Sequence, residues 1–140
     1  MYKRKATGEK VIRKKKKVVA NPRVPRTRNN QTMTEAQFFS WIRNNFRRMS
    51  MYWKPIAECR KQNRRRKEGV KKLVYEYQCH QCKKWHPSDN IEVDHIHEAG
   101  SLRSFTDLSA FAERLFCEVE GLVCLCKPCH AIKTHKKAPN

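Results

Sequence analysis

Two cysteine pairs of the form Cys-x-x-Cys, Cys79 with Cys82 and Cys126 with Cys129, constrain this chain more than any other feature. Four thiolates in two such pairs supply the closed tetrahedral shell of a zinc ion, and a closed shell leaves no position for a reacting water. The metal is therefore expected to be structural. A redox dithiol and buried free cysteines are the competing readings. The chain has seven cysteines, an odd number, and its N-terminus lacks the apolar core of a signal peptide. A disulfide framework is disfavoured on both counts, and a soluble protein of the reducing cytoplasm is expected. No stretch approaches the roughly 18 apolar residues of a membrane span, so no membrane partner is expected. Forty-three residues separate Cys82 from Cys126, far more than a compact zinc ribbon needs. Zinc would close a long loop and carry whatever lies inside it towards the second pair.

Charge divides the chain into regions. Of 140 residues, 32 are Lys or Arg and 13 are Asp or Glu, for a net charge of +19. A polyanion is the partner such an excess calls for, although an anionic membrane surface or a ribosomal site fits charge equally well. Residues 1–28 hold twelve basic residues and one acid, including Lys14, Lys15, Lys16 and Lys17. That composition cannot form a core, and residues 1–33 are read as a disordered basic arm. A solubilising tail or a localisation signal would look the same, but a flexible cationic arm also binds phosphate without a fixed shape, and DNA contact is the favoured reading. Residues 41–72 carry twelve basic residues and two acids, whereas 73–140 carry eight and nine. Residues 34–72 are accordingly read as a basic helical segment, and 73–140 as the zinc-stapled domain.

Hydrophobic periodicity supplies the elements. Thr34 and Gln37 have capping-box spacing, and Phe38, Ile42, Phe46 and Met49 recur at helical intervals, predicting a helix from Glu35 to about Ser50. Pro55 suits the first turn of a second helix carrying Cys59, Arg60, Lys61, Arg64, Arg65, Arg66 and Lys67 and stopped by Gly69. Strands are predicted at 73–78, 91–95 and 122–125, a helix capped by Ser104 between the last two, and a short helix beyond Cys126 bearing His130 and Lys133. Trp41, Phe46, Tyr52 and Trp53 are read mainly as core, with base stacking as the lesser alternative.

The runs C-H-Q-C at 79–82, V-D-H-I at 93–96 and L-C-K-P-C-H-A-I-K-T at 125–134 resemble the HNH endonucleases, in the subgroup with zinc-binding cysteine pairs. The likeness covers about 77–135, and small free-standing proteins of this kind are common in tailed phages. If a phage encodes the chain, the host cytoplasm is where it would act. The resemblance implies an α+β fold with a zinc-stapled ββα-metal core, also called the His-Me finger, and additional helices. It implies His95 as general base, Asp94 and His130 holding a catalytic divalent cation, and Cys79, Cys82, Cys126 and Cys129 holding zinc. DNA is the implied substrate, cleaved to 3′-hydroxyl and 5′-phosphate ends.

The chemistry of these residues agrees with those roles. Phosphodiester hydrolysis needs an activated water and a cation against the charge developing on phosphate. A neutral imidazole takes the proton, and a hard cation such as magnesium or manganese, with nickel as a further candidate, accepts a carboxylate. Adjacent strand residues point to opposite faces, so Asp94 and His95 serve one site only where the strand ends. Lys133 shares the helix face of His130 and is a candidate phosphate contact, as are Arg64, Arg65 and Arg66. His80, His86, His97 and His135 are read as ordinary polar residues, with His80 as a conceivable substitute zinc ligand. The asparagine of the family pattern would fall at Gly121. Glu118 or Glu120 would then orient His95 or complete the metal shell, or backbone contacts would brace the loop. The alternative to a nuclease is a non-catalytic zinc-containing DNA-binding protein; a basic RNA-binding protein would account for the arm alone.

Overall fold

Thr34 starts the first helix as its spacing predicts. Its hydroxyl accepts from the Gln37 amide at 3.2 Å while the Gln37 side chain accepts from the Thr34 amide at 2.9 Å. This is the computed structural model of the chain, and it describes residues 24–136. Lys14, Lys15, Lys16 and Lys17 lie outside the described residues. Before the helix, β1 (Arg26–Arg28) and β2 (Met33–Thr34) pair antiparallel, so the last residues assigned to a disordered arm form a hairpin instead. Arg28 ties it down, pairing with Glu35 at 3.2 Å and lying over the rings of Phe38 and Phe105. Aromatic faces and a carboxylate give this cation a fixed seat that charge counting does not foresee.

Helix α1 (Glu35–Ser50) has the predicted bounds, and α2 (Lys54–Gln62) begins around Pro55 as expected. The second helix ends seven residues before Gly69, however. Asn63 leaves helical geometry, its side chain donating to the Cys59 carbonyl at 2.8 Å and its own carbonyl accepting from Gln78 at 2.9 Å. The chain then becomes β3 (Arg64–Arg66), antiparallel to β4 (Tyr75–Gln78), with Gly69 at φ +76° in the intervening turn. The cause is a set of tertiary partners: Arg64 stacks on Tyr75, and Arg65 stacks on Trp85 and pairs with Glu76 at 3.2 Å. Such contacts outweigh a helix propensity of a few tenths of a kcal/mol per residue. Strand β5 (Trp85–Pro87), which periodicity did not signal, completes a three-stranded sheet in the order β3-β4-β5.

A single 3-10 turn leads into β6 (Ile91–His95), which pairs antiparallel with β7 (Leu122–Cys126) in the register Ile91 opposite Cys126 and His95 opposite Leu122. Between them, the amides of Arg103 and Ser104 donate to the Asp107 carboxylate and open a turn that continues into α3 (Leu108–Leu115). Helix α4 (Lys127–His135) follows β7 without a loop and lies against both strands of the pair. The fold is α+β, with four α-helices and small antiparallel sheets among the described residues.

Two cores hold it. One surrounds the cysteines and joins α2 to β7 through Cys59, Ile91, Leu122, Cys124 and Leu125. The other packs α1 on α3 through Phe39, Leu102, Phe111 and Leu115, with Phe46 stacked on Phe111. The boundary drawn at residue 72 falls inside the β3–β4 hairpin, and both helices before it pack on elements after it. No helix among the described residues is long and apolar enough to cross a membrane.

Candidate functional site

The two cysteine pairs converge. The sulfurs of Cys79, Cys82, Cys126 and Cys129 all lie within 4.8 Å of one another, and those of Cys82 and Cys126 are 3.9 Å apart. A tetrahedral shell with zinc–sulfur bonds of about 2.3 Å requires sulfurs about 3.8 Å apart, so the four are positioned to bind a metal ion and are compatible with structural zinc. Local geometry places each pair. Cys79 and Cys82 sit in a turn closed by the Lys83 amide on the Cys79 carbonyl and the Cys79 amide on the Lys84 carbonyl, with Lys83 at φ +60°. Cys126 caps α4 and Cys129 lies in its first turn, where the exposed N–H groups of a helix favour thiolate.

Burial raises the Cys79 thiol, but N–H groups of Cys82, Cys126 and Gln81 directed at its sulfur outweigh that and hold it at about 6. Cys129 is pushed up to about 12 by the neighbouring Cys126 thiol and by burial. Four thiols this close cannot all ionise unless a cation lies among them. His86, read from sequence as an ordinary residue, takes part: Asn90 donates to its Nδ1 at 3.0 Å, which leaves Nε2–H facing the Cys82 sulfur at 3.6 Å. An N–H aimed at a ligating sulfur stabilises its charge. Strand β5 carries this residue, and without the strand the sequence gives no sign that the two meet. His80, His97 and His135 are exposed.

Asp94 and His130 are brought together by the β6–β7–α4 arrangement. The Asp94 carboxylate is 3.9 Å from His130 Nε2, and His130 Nδ1 lies 2.8 Å from the carboxylate of Glu92, two residues back on the same face of β6. Two donors on one magnesium-sized ion, with bonds of about 2.1 Å, stand between about 3 and 4.2 Å apart, so a carboxylate and an imidazole at this separation fit. Lys133, one helical turn beyond His130, bonds the Asp94 carboxylate and donates to the His95 carbonyl at 2.7 Å. The lysine expected to touch phosphate is thus engaged by the acid.

His95 points to the other side of the strand. Its Nε2 is 2.9 Å from the carbonyl of Leu115. A carbonyl only accepts, so Nε2 carries the proton and Nδ1 keeps the lone pair. Leu115 ends α3, where the last carbonyls have no partner within the helix. One of these orphans holds His95, and the carbonyl of Cys117, just beyond, accepts from Trp53 Nε1 at 2.8 Å. His95 and Asp94 both line a cleft of about 590 Å³ together with Arg43 and Arg47 of α1 and Gly100 and Ser101 of the following loop.

Gly121 is explained by packing. A Cβ there would meet the Cys117 sulfur at 2.8 Å, so an asparagine would require the Cys117 side chain to shift. Its carbonyl accepts from the Ile96 amide at 2.9 Å, bracing the segment just past His95. Glu118 and Glu120 are both exposed, and His95 bonds the Leu115 carbonyl instead of either acid, so the bracing around His95 that the structure shows is by backbone carbonyls. Trp53 and Phe46 are packed against Phe116 and Phe111, whereas Tyr52 is 86% exposed and Trp41 54%.

Compared with known family models, curated proteins and solved structures, the chain matches none.

Proposed function

We propose that this chain is a metal-dependent DNA endonuclease of the HNH type, built on a ββα-metal core and using His95 as general base. The observation that carries the reading is the pairing of opposed roles across β6. Asp94 faces His130 at 3.9 Å on one side, while His95, its tautomer fixed by Leu115, lines the cleft and keeps the lone pair on Nδ1. Asp94 and His95 end the same strand, and α4 brings His130 to the Asp94 side of it.

In this mechanism His95 Nδ1 removes a proton from water, whose oxygen attacks phosphorus as the bond to the 3′ oxygen breaks. The leaving oxygen takes a proton and becomes a 3′-hydroxyl, and the phosphate stays on the 5′ end. Asp94 and His130 would hold a magnesium or manganese ion, which supplies charge neutralisation at the phosphate and leaving oxygen. Glu92 orients His130 through Nδ1, leaving Nε2 for the cation. Leu115 holds the imidazole plane in place while its proton load changes. A zinc ion there would serve the fold by pinning the start of α4, the helix that bears His130, to the turn between β4 and β5.

One observation favours a second reading, a non-catalytic zinc-containing DNA-binding protein. Lys133 already neutralises Asp94, so the carboxylate is satisfied without a divalent cation. Incubation of supercoiled plasmid with purified protein separates the two. The nuclease reading expects nicked or linear product with magnesium, manganese or nickel and none without. Tight binding with no product under any of these ions would favour the binding protein.

A further inference from the structure

Helix α1 lies outside the stretch that resembles HNH nucleases, yet it supplies one wall of the cleft that contains His95. Arg43 and Arg47 stand four residues apart on it, one above the other on the same face. Elsewhere Arg28, Arg65 and Lys133 are each engaged by a carboxylate, whereas Arg43 and Arg47 both line the cleft. The opposite wall is held in shape by Arg114, whose guanidinium donates twice to the Ala99 carbonyl at 3.1 and 2.9 Å, next to Gly100 at φ +80°. Arg114 is therefore committed to the loop, and Arg43 and Arg47 are the arginines that line the cleft.

We propose that this cleft is a seat for the DNA backbone, with Arg43 and Arg47 gripping a phosphate beside His95. The inference rests on the nuclease reading and deepens it by assigning substrate positioning to α1. Two acids line the same cleft, Asp94 and Glu98. Lys133 cancels the first, so the two arginines leave the cleft net positive towards an anion. Guanidinium is the suited group, because its planar fork donates two parallel hydrogen bonds to phosphate oxygens.

The packing fixes this grip relative to the base. Phe39 and Phe46 seat α1 on Phe111 and Leu115 of α3, and the Leu115 carbonyl is the group that holds His95. Arginines and imidazole are thus referenced to the same turn of α3, which is what placing a phosphate within reach of an activated water demands. The three-arginine run on β3, expected from sequence to meet DNA, has Arg64 and Arg65 stacked on Tyr75 and Trp85.

The test uses the full-length, zinc-loaded chain and a fluorescently labelled DNA duplex, read by anisotropy with no divalent cation added, so that binding is measured whether or not the protein cuts. Arg43→Gln/Arg47→Gln is compared with Arg48→Gln, which removes the same kind of charge from the same helix outside the cleft. The proposal expects the double variant to bind at least tenfold more weakly and to lower the slope of log K against log salt by about 0.9 for each phosphate no longer gripped. Arg48→Gln should stay within twofold of wild type. If the glutamine pair fails to fold, Arg43→Lys/Arg47→Lys reads the same point, keeping the salt slope but binding more weakly without the fork. Equal affinity and slope in the double variant and Arg48→Gln would overturn the proposal and leave the nuclease reading untouched. An RNA of the same length bound more tightly, and weakened more by the substitutions, would overturn the assignment to DNA. Absence of plasmid cleavage by wild type, with the binding effects intact, would overturn the nuclease reading alone.

Discussion

Residue by residue, the site departs most from expectation at Gly121, where the resemblance calls for an asparagine and the Cys117 sulfur fills the space. A side chain there must displace a packed neighbour, and overpacking of this kind costs about 1–3 kcal/mol. Gly121→Asn should therefore lower the unfolding midpoint in urea without raising any nuclease activity; unchanged stability would contradict the close approach to Cys117. Glu118→Ala and Glu120→Ala, alone and combined, should keep wild-type cleavage and metal response, because the bracing is done by the carbonyls of Leu115 and Gly121. A weakened metal response in either variant would return the missing asparagine's role to these acids. The convergence of the four cysteines was legible in their spacing, and the approach of His130 to Asp94 followed from the resemblance. The tautomer of His95 was not legible, since it depends on a carbonyl twenty residues away. Glu92 and His86 were missed for a similar reason: nothing in their own neighbourhood says which imidazole or sulfur they will face.

Among the elements, those with local signals formed as read. Helix α1 carries its own capping box, and β6 has the predicted bounds. The apolar stripe of α1 was less faithful at its end, for Met49 is 59% exposed. Where tertiary partners decide, the reading failed: the arginines after Gln62 were given to a helix and lie on a strand, because Tyr75, Glu76 and Trp85 are invisible from that position in the sequence. The four-cysteine cluster, positioned to hold a metal ion, is the element-scale fastening, joining the turn before β5 to the start of α4. Cys126→Ser should lose both the metal and resistance to proteolysis, since structural zinc binding and folding are one equilibrium in small domains. Elemental analysis and limited proteolysis check this together. A folded variant that resists protease without zinc would show that the two cores suffice alone.

For the whole molecule, positive charge is concentrated before residue 73 while the candidate catalytic residues follow it, yet α1 and α2 fold against the later elements and α1 brings Arg43 and Arg47 to the cleft. Charge segregation was plain in the sequence; that it would be wrapped around the site was not, because wrapping depends on which faces of α1 and α2 are apolar to which partners. Removing residues 1–23, which leaves the hairpin and its Arg28 contacts intact, should weaken binding to every DNA sequence and flatten the salt dependence by about 0.9 per phosphate released, while cleavage at low salt persists. An unchanged salt slope would show that those residues do not touch DNA. Binding and hydrolysis should in this way separate, one carried by basic surfaces and the other by His95, Asp94 and His130. The most direct measurement is therefore cleavage of supercoiled plasmid by His95→Ala beside wild type, in magnesium or manganese, with zinc content and DNA affinity measured on the same preparations. The account predicts that the variant keeps its zinc and its affinity and cleaves about a hundredfold or more slowly than wild type; cleavage that continues at the wild-type rate would contradict it.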